Sequence, residues 1–215
     1  HYADKKYIFL YEEKSWLGFF VFYIAAITIS CFFLGWTAAV LVLALVPALS
    51  ELFSYKGSDN LSIPLIASAW YTVVIENPIF PFQWLIFLVV LAVLGITYRK
   101  KWLTDSGTAA ALLLGTVIVF SSDPLLIVSI GIFFVAGSLT SRLHPELKDA
   151  GGRDAIQVFS NGLVAVLCLL VFMLTKNSIY ICAYFMSICI SFADTMSSDI
   201  GLYFRQKTYD ILTFQ

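Results

Sequence analysis

The 215 residues are 60% hydrophobic and only 13% charged, with a mean hydropathy of +0.88 and a formal net charge of −1. A soluble domain carries about 25% charged residues, so an ordinary water-exposed globule is excluded and the chain reads as an all-α, polytopic membrane protein. No basic patch with interleaved aromatics occurs, which excludes nucleic acid as a partner.

The chain opens on His1, without an apolar signal segment and cleavage site, and so reads as an internal piece of a longer protein. Cys31, Cys168, Cys182 and Cys189 all lie in apolar runs, none forms a CxxC pair, and His144 is the one histidine besides His1. That pattern argues against a Cys/His zinc site and for small buried thiols.

A membrane helix needs about 20 apolar residues. Residues 15–50 carry no charge and have the length of two crossings, with a break near Gly35. Residues 61–74, interrupted by Pro64, form a short or partly re-entrant span, and 82–98 is the clearest single helix. Residues 106–120 and 124–140 follow, parted by Ser121-Ser122-Asp123, and 155–175 and 179–198 complete about eight predicted spans. With the N-terminus in the cytoplasm, that topology puts twelve Lys and Arg residues on the inner side and Lys176 alone outside, as the positive-inside rule requires. The polar clusters then all face the cytoplasm, while Glu76 and Asp123 fall in solvated outer turns.

Three clusters are candidates for chemistry. In "ADTMSSDIG" (193–201), Asp194 and Asp199 flank hydroxyl residues at the end of the last span, and Ser198 shares the helical face of Asp194. Ionisable groups in spans usually mark function, and hard carboxylate oxygens suit Mg²⁺. The plainer alternative has Asp199 interfacial and Asp194 paired with a basic residue or a neighbouring helix. In "RLHPELKDAGGRDAIQVFSNG" (142–162), Asp154, Gln157 and Asn161 form a polar stripe at a helix start. Gly151-Gly152 precede it, and Arg142, Lys148 and Arg153 can neutralise phosphate. Here the alternative is basic residues that set topology and amides that join helices. In "ELFSYKGSDNLSIPL" (51–65), Glu51 and Asp59 are acids beside apolar runs, with Asp59 or Asn60 equally readable as a helix N-cap. Gly107, Ala111 and Gly115 repeat every four residues, a small-residue face expected to serve close helix packing.

Two resemblances follow from these motifs. "EEKSWLGFF" (12–20) and "ELFSYKGSDNLSIPL" are similar to the C-terminal part of the CTP-dependent phytol and dolichol kinase family, related to CDP-diacylglycerol synthase. The matching positions are Lys14, Ser15, Gly18, Glu51, Asp59, Asn60 and Pro64. "LTDSGTAAALLLG" (103–115), "GSLTSR" (137–142), "GGRDAIQVFSNG" (151–162) and "ADTMSSDIG" resemble, in that order, the membrane family of formerly unknown function that includes phytyl-phosphate kinase. The resemblances imply two segments: residues 1–80 as the end of a prenol-kinase-like domain, and 81–215 as a phytyl-phosphate-kinase-like domain.

What they imply is a phosphotransferase at the cytoplasmic face of a bacterial inner membrane. It would transfer phosphate from CTP or another nucleoside triphosphate, with Mg²⁺, to an isoprenoid alcohol or its monophosphate, such as phytol or phytyl phosphate. Asp194, Asp199, Glu51 and Asp59 would hold metal. Arg153 and Lys148 would clamp phosphate, while Gln157 and Asn161 orient the reactants. Lys14, Ser15, Asn60, Thr104, Ser138, Thr140 and Ser198 would contact nucleotide or substrate, with Gly107 and Gly201 completing the motifs. The rival expectation is a transporter or lipid carrier whose intramembrane acids bind an ion or substrate.

Overall fold

A computed structural model describes residues 7–9, 12–54, 58–76, 79–121, 124–140 and 152–204. A short antiparallel hairpin, β1 (Tyr7–Phe9) with β2 (Glu12–Lys14), precedes eight helices. These are α1 (Trp16–Leu34), α2 (Ala38–Glu51), α3 (Asp59–Glu76), α4 (Pro81–Arg99), α5 (Asp105–Phe120), α6 (Pro124–Thr140), α7 (Ala155–Thr175) and α8 (Ile179–Phe204). The apolar run of residues 15–50 breaks at Gly35, whose φ of +76° suits glycine.

Among the described residues, four helices are long and apolar enough to cross a bilayer: Trp16–Leu34, Pro81–Arg99, Ala155–Thr175 and Ile179–Ser198. This corrects the expectation of about eight spans. At 1.5 Å per residue, the 14 residues of α2 and the 16 of α5 reach about 21 and 24 Å, short of the roughly 30 Å of hydrocarbon. Both are central helices, each with ten buried residues. Walled from lipid by their neighbours, they need not match the membrane's thickness. In contrast, α1 fully buries only Phe19 and Cys31, packs Trp16, Phe22 and Tyr23 against the core and exposes Val21, Ile24, Ile29, Phe32 and Phe33, as a lipid-facing helix does.

One core runs through both halves of the chain, from Leu49 and Trp70 to Val117, Leu169 and Tyr184. Buried polar groups act as struts within it. The Trp70 indole N–H donates to the Val42 carbonyl (3.0 Å), joining α3 to α2. Gln83 is fully buried; its Oε1 accepts from the Phe80 N–H (2.7 Å) and its Nε2 donates to the Val119 carbonyl (3.4 Å). In this way one side chain closes the start of α4 and fixes it to the end of α5. Lys14 Nζ pairs with Glu51 Oε1 (2.7 Å) and donates to Ser54 Oγ (3.1 Å), clasping the start of α1 to the end of α2.

The tightest junction joins the starts of α5 and α7. Leu103 and Arg153 form a parallel β-bridge, in which the Arg153 N–H donates to Trp102 O (2.9 Å) and the Thr104 N–H donates to Arg153 O (3.1 Å). A Cβ at Gly107 would overlap the Arg153 carbonyl, and one at Gly152 would lie 2.6 Å from the Trp102 carbonyl carbon. Only glycine permits either approach. Thr104 Oγ1 then accepts from the Gly107 N–H (3.1 Å) and an Asp154 carboxylate oxygen accepts from the Gln157 N–H (2.9 Å), capping the two helices side by side.

Gly107→Ala is therefore expected to lower stability by about 3 kcal/mol, because backbone rather than a flexible side chain must move. Gly95→Ala, with nothing within 4 Å, should be neutral or stabilising by up to about 1 kcal/mol. Thermal unfolding in detergent distinguishes them, and equal midpoints would refute the junction. Lys14→Met should cost about 1 kcal/mol, the upper end for a partly solvated pair. Exchanging the charges (Lys14→Glu with Glu51→Lys) should recover part of that loss in the same assay.

Candidate functional site

A groove of about 310 Å³ lies among α4, α5, α6 and α7. Its walls are aliphatic and aromatic, including Val90 and Val93 of α4, Leu114 and Ile118 of α5, and Phe133 and Phe134 of α6. The polar side chains lining it are Arg153, Gln157 and Asn161, spaced four residues apart at the start of α7. Gln157 and Asn161 share one face of α7, while Arg153 precedes the N-cap and is placed by the β-bridge. The sequence-predicted stripe began at Asp154 instead. That side chain is occupied as the N-cap of α7, and the cap conformation leaves Arg153 as the first member of the groove-facing row.

The Arg153 backbone is held by the β-bridge, and its Nη2 donates to the Gly137 carbonyl (2.9 Å) near the end of α6. A Cβ at Gly137 would lie 3.3–3.4 Å from the Arg153 Nη atoms and 3.5 Å from Thr195 Cγ2. Gly137 is thus bordered by Arg153 on one side and by the Thr195 methyl of α8 on another. The Gly137 carbonyl lies in a quoted motif, but a backbone acceptor carries no side-chain signal in sequence. The Gly107-Ala111-Gly115 repeat also differs from a simple packing face. Gly107 meets the Arg153 backbone, whereas Ala111 and Gly115 line the groove. Their small side chains leave room there.

The other expected residues are distributed elsewhere. Asp194 and Ser198 are exposed on α8 and do not line the groove. Because α8 continues unbroken through residue 204, Asp194 and Asp199 stand about 140° apart around the axis and roughly 7.5 Å along it. Among the described residues, no group of three or more His, Cys, Asp or Glu side chains gathers to hold a metal. Asp194 fits a more open arrangement, since Mg²⁺ commonly takes one or two carboxylates and fills its shell with water and phosphate oxygens.

Thr104 caps α5 and touches the Arg153 carbonyl (3.4 Å) without lining the groove. Glu51 is engaged by Lys14, Ser15 caps α1 by accepting from the Gly18 N–H (3.0 Å), and Asp59 lies in the first turn of α3 beside the exposed Asn60. Phe53, just beyond α2, packs on Phe159 at a ring distance of 4.9 Å. Phe159 is about 200° from both Gln157 and Asn161 around α7, so the Lys14–Glu51 cluster and the groove occupy opposite sides of that helix. Gly201 is exposed near the end of α8. Arg142, Lys148, Gly151 and Asp123 lie outside the described residues, as do the side chains of Glu76, Ser138, Thr140 and Asp199.

Residues 88–215 match the family described as integral membrane protein DUF92. An uncharacterized membrane protein of Methanocaldococcus jannaschii is 26% identical over 134 residues, covering 60% of this chain and 56% of the relative. The match thus spans little more than half of that protein. No solved structure matches the chain. The family match takes in more than half of the chain, including α5 to α8 and every residue that gives the groove its polar end; the chain belongs to the DUF92 family of integral membrane proteins.

Proposed function

We propose that this chain forms the lipid-binding core of a membrane phosphotransferase whose acceptor is an isoprenoid monophosphate. The observation that carries this reading is the apolar groove ending at Arg153, Gln157 and Asn161. Such a site complements an amphiphile with an anionic head, and its cation favours a phosphate-headed acceptor over a neutral alcohol. In this reading the polar end of the groove lies at the cytoplasmic face, where nucleoside triphosphate is available.

In this mechanism the guanidinium of Arg153 draws the acceptor phosphate to the groove's end, and the amides of Gln157 and Asn161 fix its rotation. An acceptor oxygen attacks the γ-phosphorus of the nucleotide. The bond to the β–γ bridging oxygen breaks, giving a lipid diphosphate and a nucleoside diphosphate. Positioning and charge compensation supply most of the catalysis in such transfers. Asp194 would hold Mg²⁺ together with nucleotide phosphates and water, and the ion would supply further neutralisation of phosphate charge.

The test is to reconstitute the intact protein in liposomes with γ-labelled CTP, GTP or ATP and with phytol, geranylgeraniol or their monophosphates. Labelled lipid diphosphate is expected from the monophosphates. Arg153→Gln should lower kcat/KM by about 10²–10³-fold, the range for removing a donor to developing charge, and Asp194→Asn should abolish transfer with folded yield retained. Absence of labelled lipid in every combination would defeat the kinase reading. Nucleotide-independent movement of the lipid across the bilayer would instead establish a carrier.

A further inference from the structure

The walls of the groove differ in a way that bears on how a lipid reaches Arg153. Its floor is protein: Leu114 and Ile118 are buried, and Gly162 faces Leu114. Toward the outside, α4 and α6 both pack on α5, with no comparable packing between them. Val89 (56% exposed) and Val93 (38%) of α4 and Val135 (54%) of α6 line the groove and are also exposed on the outer surface. A residue can do both only at an opening. Gly131 of α6 lines the same opening, and a Cβ there would meet nothing within 4 Å.

We infer that the gap between α4 and α6 is a lateral doorway through which a single-chain lipid phosphate slides from the bilayer, with Gly131 keeping it open. This rests on the proposed site and adds a rule of selectivity to it. The 310 Å³ of the groove lies at the small end of the roughly 300–1,000 Å³ of ligand pockets. Only the part of the tail nearest the head is therefore enclosed, and the remainder stays in lipid beyond the doorway. Lipid tails are as apolar as the groove walls, so the portion left in the bilayer gives no basis for discrimination. The site distinguishes lipids by head charge and by the width of the first part of the tail, and it ignores total length.

The experiment uses the intact protein in liposomes, with geranyl, geranylgeranyl and undecaprenyl phosphates dosed by mole fraction in the bilayer. It also uses a geranylgeranyl phosphate carrying a diazirine near the head. Photolabel is expected on α4 and α6, and should be lost in Arg153→Gln. Gly131→Phe should reduce labelling more than tenfold, with Gly131→Ala close to wild type and unfolding midpoints confirming that both variants fold. The three natural lipids should compete within about threefold of one another. If labelling depends on Arg153 but ignores Gly131→Phe, or if competition strengthens steadily with chain length, the doorway is wrong and the phosphate site stands. Label confined to other helices would mean that protein fills the gap, which also overturns the doorway. Loss of all Arg153-dependent labelling would remove the site itself and the doorway with it.

Discussion

The rest of this structure depends on the contact between the Leu103 and Arg153 backbones. A glycine on each side lets two chain segments approach more closely than side chains allow, and the bridge hydrogen bonds lock the starts of α5 and α7 together. α5 is a central helix of the bundle, and α7 connects to α8 through a short turn. Fixing their starts therefore fixes the back wall of the groove and the row of side chains at its end. The same residue serves both purposes. The Arg153 main chain makes the bridge, and its side chain reaches the Gly137 carbonyl.

The membrane imposes a second order on the molecule. Contacts link the start of α1 to the end of α2 through Lys14 and Glu51, the end of α2 to the start of α7 through Phe53 and Phe159, and the start of α5 to that of α7 through Leu103 and Arg153. Arg153 then reaches the end of α6, where Thr195 of α8 lies beside Gly137. One end of the bundle thus collects the polar groups, and the hydrocarbon-facing helices carry almost none. Buried hydroxyls within the helices are satisfied by carbonyls one turn back, as Thr116 is by Leu112 (2.7 Å) and Ser50 by Val46 (2.8 Å). Such internal pairing is required where water is absent.

Much of this was legible in the sequence, because hydrophobic runs and turn residues act locally. The break at Gly35 and the placement of Gln157 and Asn161 on one face of a helix starting near residue 155 follow from neighbours along the chain. What sequence did not show depends on three-dimensional neighbours. Glu51 read as a free acid because Lys14 is 37 residues away, yet their side chains meet. Asp154 read as the first member of the α7 stripe because periodicity assumes a helix, whereas the residue stands at its cap. The short lengths of α2 and α5 looked like ordinary spans because apolar runs do not reveal which helices are sheltered by others.

The placement of Arg153 resolves a difficulty that a cation at the head of a dry groove would otherwise present. A guanidinium near hydrocarbon is costly, and a long side chain ordinarily turns its charge toward water. Here the Gly137 carbonyl, toward the C-terminal side of α6, accepts from the Arg153 guanidinium. Donation to it offsets part of the desolvation and holds the side chain toward α6 rather than letting it swing free. Held in this way, the guanidinium stands at the polar end of the groove, where the anionic head of the proposed acceptor would meet it.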